Sequence, residues 1–184
     1  MPGDKPYNKA HEKKILIVTD SICRGIQRND LMEEMASKGI HADVSIRRYN
    51  GGQSHEMYHN ARQNIADEQP HGLILVGGIN DLSKRDGRRD LSDLEIANNL
   101  LATGEMAKDL GVSKIFISSI TYKYGHHIYP RRANINRLLR DGCNERGFIY
   151  IDNSNILREH TTGGLHLNDE GTSILKQNII ERLY

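Results

Sequence analysis

Ile15-Leu16-Ile17-Val18-Thr19-Asp20-Ser21-Ile22-Cys23-Arg24-Gly25 opens with four apolar, mostly β-branched residues and turns polar at once. A run this short, bounded so sharply, reads as a strand buried on both faces. Three more of the kind follow: Gly72-Leu73-Ile74-Leu75-Val76, Lys114-Ile115-Phe116-Ile117 and Phe148-Ile149-Tyr150-Ile151. Ala42-Asp43-Val44-Ser45-Ile46 instead alternates apolar with polar residues, as suits the edge of a sheet. Between these runs, helical patterns occupy 22–37, 54–66, 91–110, 132–145 and 169–183. Strands alternating with helices imply parallel strands joined by right-handed crossovers. The expected fold is therefore a three-layer α/β/α sandwich with a five-stranded parallel sheet in the order 2-1-3-4-5. In such sheets the site lies outside the carboxyl ends of the strands, so the residues following each apolar run carry the chemistry.

Length and composition agree. The 184 residues suit one hydrophobic core, and 25 basic against 24 acidic residues leave a formal net charge of +1. So even a balance supplies no global field that would draw the chain onto nucleic acid or an anionic membrane. Residues 1–13 are polar and include Pro2, Gly3 and Pro6; they read as a disordered lead-in, with a single domain over 14–184. No apolar run reaches membrane-spanning length, so a soluble, intracellular protein without a membrane span is expected. Cys23 and Cys143 fall in no paired spacing and read as reduced, structural thiols.

The first strand delivers Ser21 to the turn before a helix, where a hydroxyl meets free amides; a helix cap is the plain reading of that position. The second delivers Gly51-Gly52, where the backbone can approach a ligand closely, and the third delivers Gly77-Gly78-Ile79-Asn80-Asp81, with an amide donor. After the fifth strand a loop leads to His166, before a helix opening at Asn168-Asp169-Glu170-Gly171. Taken singly these are turn residues and one of nine histidines.

Taken together they resemble the SGNH (GDSL-like) hydrolase family, whose four separated blocks supply a serine, a glycine, an asparagine and a histidine in that order. Thr19-Asp20-Ser21, Gly52, Gly78-Ile79-Asn80-Asp81 and Gly164-Leu165-His166-Leu167-Asn168 carry the resemblance. The pattern is also similar to esterase-like domains found in invertebrate and transposable-element sequences. The resemblance implies an esterase or other acyl hydrolase acting on a small-molecule or lipid-like acyl ester. Ser21 would be the nucleophile and His166 its base, with Ser21, Gly52 and Asn80 lining an oxyanion hole and neither metal nor cofactor required.

The sequence departs from the family where Asp-x-x-His is the norm: the position of the acid is Gly163. A carbonyl near Thr162 or Gly163 is the expected substitute partner for the ring, with Glu159 or Asp169 as the other candidates. Asp20 and Asp81 read as structural braces. Lys84, Arg85, Tyr122, His126 and His127 are candidate substrate-rim residues; with Lys123, Tyr124, Tyr129, Arg131 and Arg132 they raise a weak nucleic-acid contact as a possibility. The missing acid keeps a rival open: a catalytically degenerate domain of this fold that binds RNA, protein or carbohydrate. No heptad or long exposed apolar stripe speaks to oligomeric state.

Overall fold

The computed structural model describes residues 13–83 and 86–183. Five strands, β1 (Lys13–Thr19), β2 (Ala42–Arg48), β3 (Gly72–Val76), β4 (Lys114–Ser118) and β5 (Ile149–Ile151), form one parallel sheet in the order β2-β1-β3-β4-β5. The fold is the α/β/α sandwich expected from the sequence. The register brings Thr19 opposite both Arg48 and Val76, so β1, β2 and β3 end level with one another.

Five helices cover the sheet: α1 (Arg28–Ser37), α2 (Ser54–Glu68), α3 (Asp93–Asp109), α4 (Ile128–Arg146) and α5 (Asp169–Arg182). The second, third and fourth pack side by side on one face. On the other face α1 and α5 are joined through Glu34, which meets Lys176 at 2.7 Å and Gln177 at 2.8 Å. Local sequence explains their limits. Ser92 and Glu95 form a reciprocal capping box at the start of α3, and α4 ends where Gly147 takes φ +70. Between the layers, Leu16, Ile17, Leu73, Ile74, Leu75 and Ile117 are all but sealed from solvent. Each such side chain contributes roughly 1.5–3 kcal/mol on burial.

Three local expectations change. The first helix does not start at residue 22: a 3-10 turn, Ser21–Cys23, is followed by an unwound stretch, and α1 begins only at Arg28. Two contacts hold that stretch open. The Arg48 guanidinium takes the carbonyls of Cys23 and Ile26, and Gly25 sits so close to Thr172 that a β-carbon there would meet Oγ1 at 2.8 Å. The fourth helix starts earlier than its pattern suggested, with Pro130 in the first turn, where the missing N–H is harmless. Finally, β5 is the second sheet edge, with Ile149 and Tyr150 only half-buried, and a short antiparallel pair, β6 (Thr161–Thr162) and β7 (His166–Leu167), interrupts the loop before α5. Residues 1–12 lie outside the described residues; β1 begins at Lys13, the last residue assigned to the lead-in. Cys23 and Cys143 are buried and unpaired, and burial pushes both thiols up to about 12.

Candidate active site

Ser21 stands where β1 leaves the sheet. The Thr19 carbonyl accepts from Tyr49 N at 2.9 Å, and Asp20 N reaches the Val76 carbonyl at 3.4 Å, so the segments that follow β1, β2 and β3 converge. Serine at such a turn could have served as the cap. Here Asp20 takes that duty: its Oδ1 accepts from Ile22 N at 2.8 Å, and Ser21 is the first residue inside the 3-10 turn. The Ser21 hydroxyl is half-buried and makes no hydrogen bond among the described residues.

Beneath it lie two buried carboxyls. Burial pushes Asp20 up to about 7; the Ile22 amide pulls it back, Asp81 raises it further, and Arg88 opposes that. Among the described residues its second oxygen has no hydrogen-bond partner. Burial likewise raises Asp81, against two bonds from Ser54, whose amide and hydroxyl both meet the carboxylate at 2.9 Å. The Asn99 side chain in turn donates to that hydroxyl at 3.1 Å. Asp81 thus ties the loop after β3 to the start of α2, while Asp20 braces the turn after β1.

Asn80 is 8% exposed, and its Nδ2 donates to the Gly52 carbonyl at 3.0 Å, so the third and second loops do meet. A side-chain amide has two N–H bonds, which leaves the other for an incoming acceptor. Arg88 donates to the Asn80 carbonyl at 3.1 Å and fixes the loop from outside. The amide of Gly52 differs from expectation: it donates to the Tyr49 carbonyl at 3.0 Å within its own turn. A β-carbon at Gly52 would sit 2.9 Å from that same oxygen, so the turn requires glycine.

The histidine arrives on β7, which lies against the 3-10 turn of Ser21–Cys23 with Cα atoms within 8 Å. Its loop is held by backbone. Tyr124 N donates to the Gly164 carbonyl at 2.8 Å, Asn168 N to the His160 carbonyl at 3.0 Å, and Asn168 Nδ2 to the Glu159 carbonyl at 2.8 Å. Buried His160, which sequence reasoning passed over, accepts from Leu157 N at 2.9 Å and so fixes the loop's first turn. His166 itself is half-buried; burial, then Arg24, then Lys123 lower its pKa, favouring the neutral ring a base must offer. Among the described residues its ring makes no hydrogen bond. Neither Thr162 nor Gly163 supplies the expected carbonyl; Glu159 lies 3.7 Å from His160 Nε2 instead, and Asp169 opens α5. Gly163, the position of the absent acid, is exposed at φ +65 with no atom within 4 Å of where a β-carbon would stand.

Of the rim residues, Lys84 and Arg85 lie outside the described residues. Tyr122 is half-buried beneath the Arg132 guanidinium, 5.1 Å from its ring centre, while His126 and His127 are exposed. Among the described residues no group of three or more His, Cys, Asp or Glu is placed to hold a metal ion, and no helix is long and apolar enough to cross a membrane. Sequence reasoning missed Arg48 and His160, and it placed Arg88 in the charged loop after the third strand without its partner. Each was visible as a polar side chain, but nothing in the pattern told which carbonyl or amide it would meet.

No family model matches the chain, and no curated protein matches it. Solved structures do. A catalytic mutant of Axe2, an acetylxylan esterase from Geobacillus stearothermophilus, is 15% identical with a TM-score of 0.77, covering 93% of this chain and 94% of that one. A GDSL-like lipase from Bacteroides thetaiotaomicron is 16% identical with a TM-score of 0.73, over 94% and 89%. A structure named TesA is 17% identical with a TM-score of 0.77, over 93% and 98%. At these identities the likeness establishes the fold, that of the SGNH (GDSL-like) hydrolases.

Proposed function

We propose that the protein is an acyl hydrolase in which Ser21 attacks the carbonyl of an ester and His166 accepts its proton. The observation that carries this reading is the approach of β7 to the Ser21 turn, which sets the imidazole strand beside a serine whose hydroxyl is not spent on the cap, since Asp20 serves there. Attack would form a tetrahedral oxyanion; the Ser21 amide and the second N–H of Asn80 would stabilise it. Gly52 could join them only by giving up the Tyr49 carbonyl. The imidazolium would then protonate the departing alcohol, and water, activated by the same ring, would release the acid and restore Ser21. Acyl esters are the substrate class this chemistry serves, and the likeness to an acetylxylan esterase makes acetylated sugars one class to try.

The test is hydrolysis of short activated acyl esters by the wild-type protein and by Ser21→Ala. Turnover in the first and none in the second is the expected result; no turnover in the first, or equal turnover in both, overturns the reading.

A second reading, a non-hydrolytic binding domain of this fold, is favoured by one observation: among the described residues no side chain or carbonyl hydrogen-bonds to the His166 ring. In the serine-protease template the buried aspartate fixes the tautomer, and its loss there costs about ten-thousandfold in rate. On this reading the wild-type protein hydrolyses nothing and binds RNA, protein or carbohydrate; RNA binding would weaken steeply with added salt.

A further inference from the structure

A cavity of about 520 Å³ lies between α4 and the segment that follows β5, and none of Ser21, Gly52, Asn80 and His166 lines it. Four guanidiniums, those of Arg132, Arg137, Arg140 and Arg158, face it against a single lining carboxylate, Asp152. Two of the four are partly answered: Arg137 and Arg140 lie 3.7 Å and 3.6 Å from Asp141. The other two have no carboxylate within 4.0 Å among the described residues. They rest on aromatic faces instead, Arg132 at 5.1 Å and 5.6 Å from the ring centres of Tyr122 and Tyr129, and Arg158 at 4.8 Å from that of Tyr124.

That arrangement has a chemical meaning. A guanidinium laid flat on a ring keeps its N–H edge free, and that edge matches the oxygens of a phosphate two at a time. Arg132 is half-buried, and burial pulls its guanidinium down from the ordinary value while the two tyrosines oppose the shift. A cation so placed lacks only an anion. The remaining wall is suited to a flat or weakly polar body: Ile120, Ile156, Leu157 and the rings of Tyr129 and Tyr150 line it. Burial pushes the Tyr150 phenol up to about 12, so it stays protonated and able to donate. The volume falls within the usual range for a small-molecule site.

We propose that this cavity is a binding site for an organic phosphate monoester of nucleotide or sugar-phosphate size, its phosphate gripped by Arg132 and Arg158 and its organic part laid against the tyrosines. Four guanidiniums against the carboxylates of Asp152 and Asp141 favour a dianion over a monocarboxylate. A volume of about 520 Å³ suits a discrete small molecule. The site is independent of the acyl-hydrolase reading and stands or falls without it.

The experiment is calorimetric titration of the full chain with adenosine 5′-monophosphate, ribose 5-phosphate, adenosine, inorganic phosphate and a long single-stranded RNA. Saturable binding of either monoester, about tenfold or more tighter than adenosine or inorganic phosphate, is expected. Arg132→Lys keeps the charge and the aliphatic stem but loses the fork, and should weaken the monoester about tenfold with an unchanged melting temperature. Arg158→Gln should do the same, whereas Ser21→Ala should leave binding as it was, whatever it does to hydrolysis. No saturable monoester binding overturns the proposal, as does an affinity equal to that of inorganic phosphate. An RNA that binds more tightly than the monoesters, and is unaffected by Arg132→Lys, overturns it in favour of a nucleic-acid surface elsewhere.

Discussion

The loops after β1, β2 and β3 are locked to one another by buried side chains, whereas the hairpin of β6 and β7, which carries His166, is held mainly by backbone hydrogen bonds. On the first side Asp20 caps the 3-10 turn, Asp81 grips Ser54, Asn80 grips the Gly52 carbonyl and Arg88 grips Asn80. On the second, His166 sits on a two-residue strand beyond Gly163 and Gly164, both at positive φ, and among the described residues no carboxylate pairs with its ring. On the proposed reading the hydroxyl and its hydrogen-bond donors are set by loops joined through side chains, while the base is set by a short hairpin. Positioning of the imidazole, more than of the serine, should limit whatever rate this centre achieves.

Substitutions on the two sides can break or sharpen that contrast. Ser21→Ala should cost the most, on the order of ten-thousandfold or more in kcat/KM, with the melting temperature unchanged because Asp20 keeps the cap. Asn80→Ala should cost about a hundredfold, read in kcat, since it removes a donor and frees the Gly52 carbonyl. A loss no larger than that caused by changes in the hairpin would show that the serine side is less rigid than its hydrogen bonds imply.

Asp20→Asn probes stability. A carboxyl raised to about 7 in the folded state, from an unfolded value near 3.8, contributes stability in full below the lower figure and loses it as pH rises through the higher. The wild-type protein should therefore lose a few kcal/mol between about pH 4 and pH 8, and the variant should not. Chemical denaturation at both pH values decides it; parallel curves would mean that Asp20 is neutralised by Arg88 after all.

Gly163→Asp acts on the looser side. The space there is open, and restoring an acid should raise kcat/KM about tenfold, reduced by the strain of a side chain at φ +65. Gly163→Asn carries the same strain without the charge and should lower activity. The smallest effect is expected from Arg24→Gln. Burial, Arg24 and Lys123 hold His166 below the ordinary histidine range, so the acid limb of the kcat/KM profile lies below that range and should move to higher pH when Arg24 is removed.

Much of this was legible in the sequence because it depends on local patterns. Four apolar runs and one alternating run gave the sheet and its order, since strand periodicity and right-handed crossovers leave few topologies. The convergence of Gly52 and Asn80 followed from where those strands end. What escaped reading depends on contacts distant in sequence. Ser21 looked like a cap because the cap role depends on which of two adjacent oxygens faces the Ile22 amide. The delay of α1 to Arg28 depends on Arg48 and Thr172, and the occupied Gly52 amide on how tightly residues 49–52 turn. Tyr122, Tyr124 and Tyr129 stand among the charges of the rim in the sequence, but their pairing with Arg132 and Arg158 is a product of packing.

Arg48 carries a wider consequence. It is an edge-strand residue whose guanidinium braces the unwound backbone after Ser21. In a library of random variants scored by product formation alone, position 48 would be ranked beside the reacting groups, although it would never meet a substrate. Scoring the same library for heat tolerance at the same time would separate the brace from the chemistry.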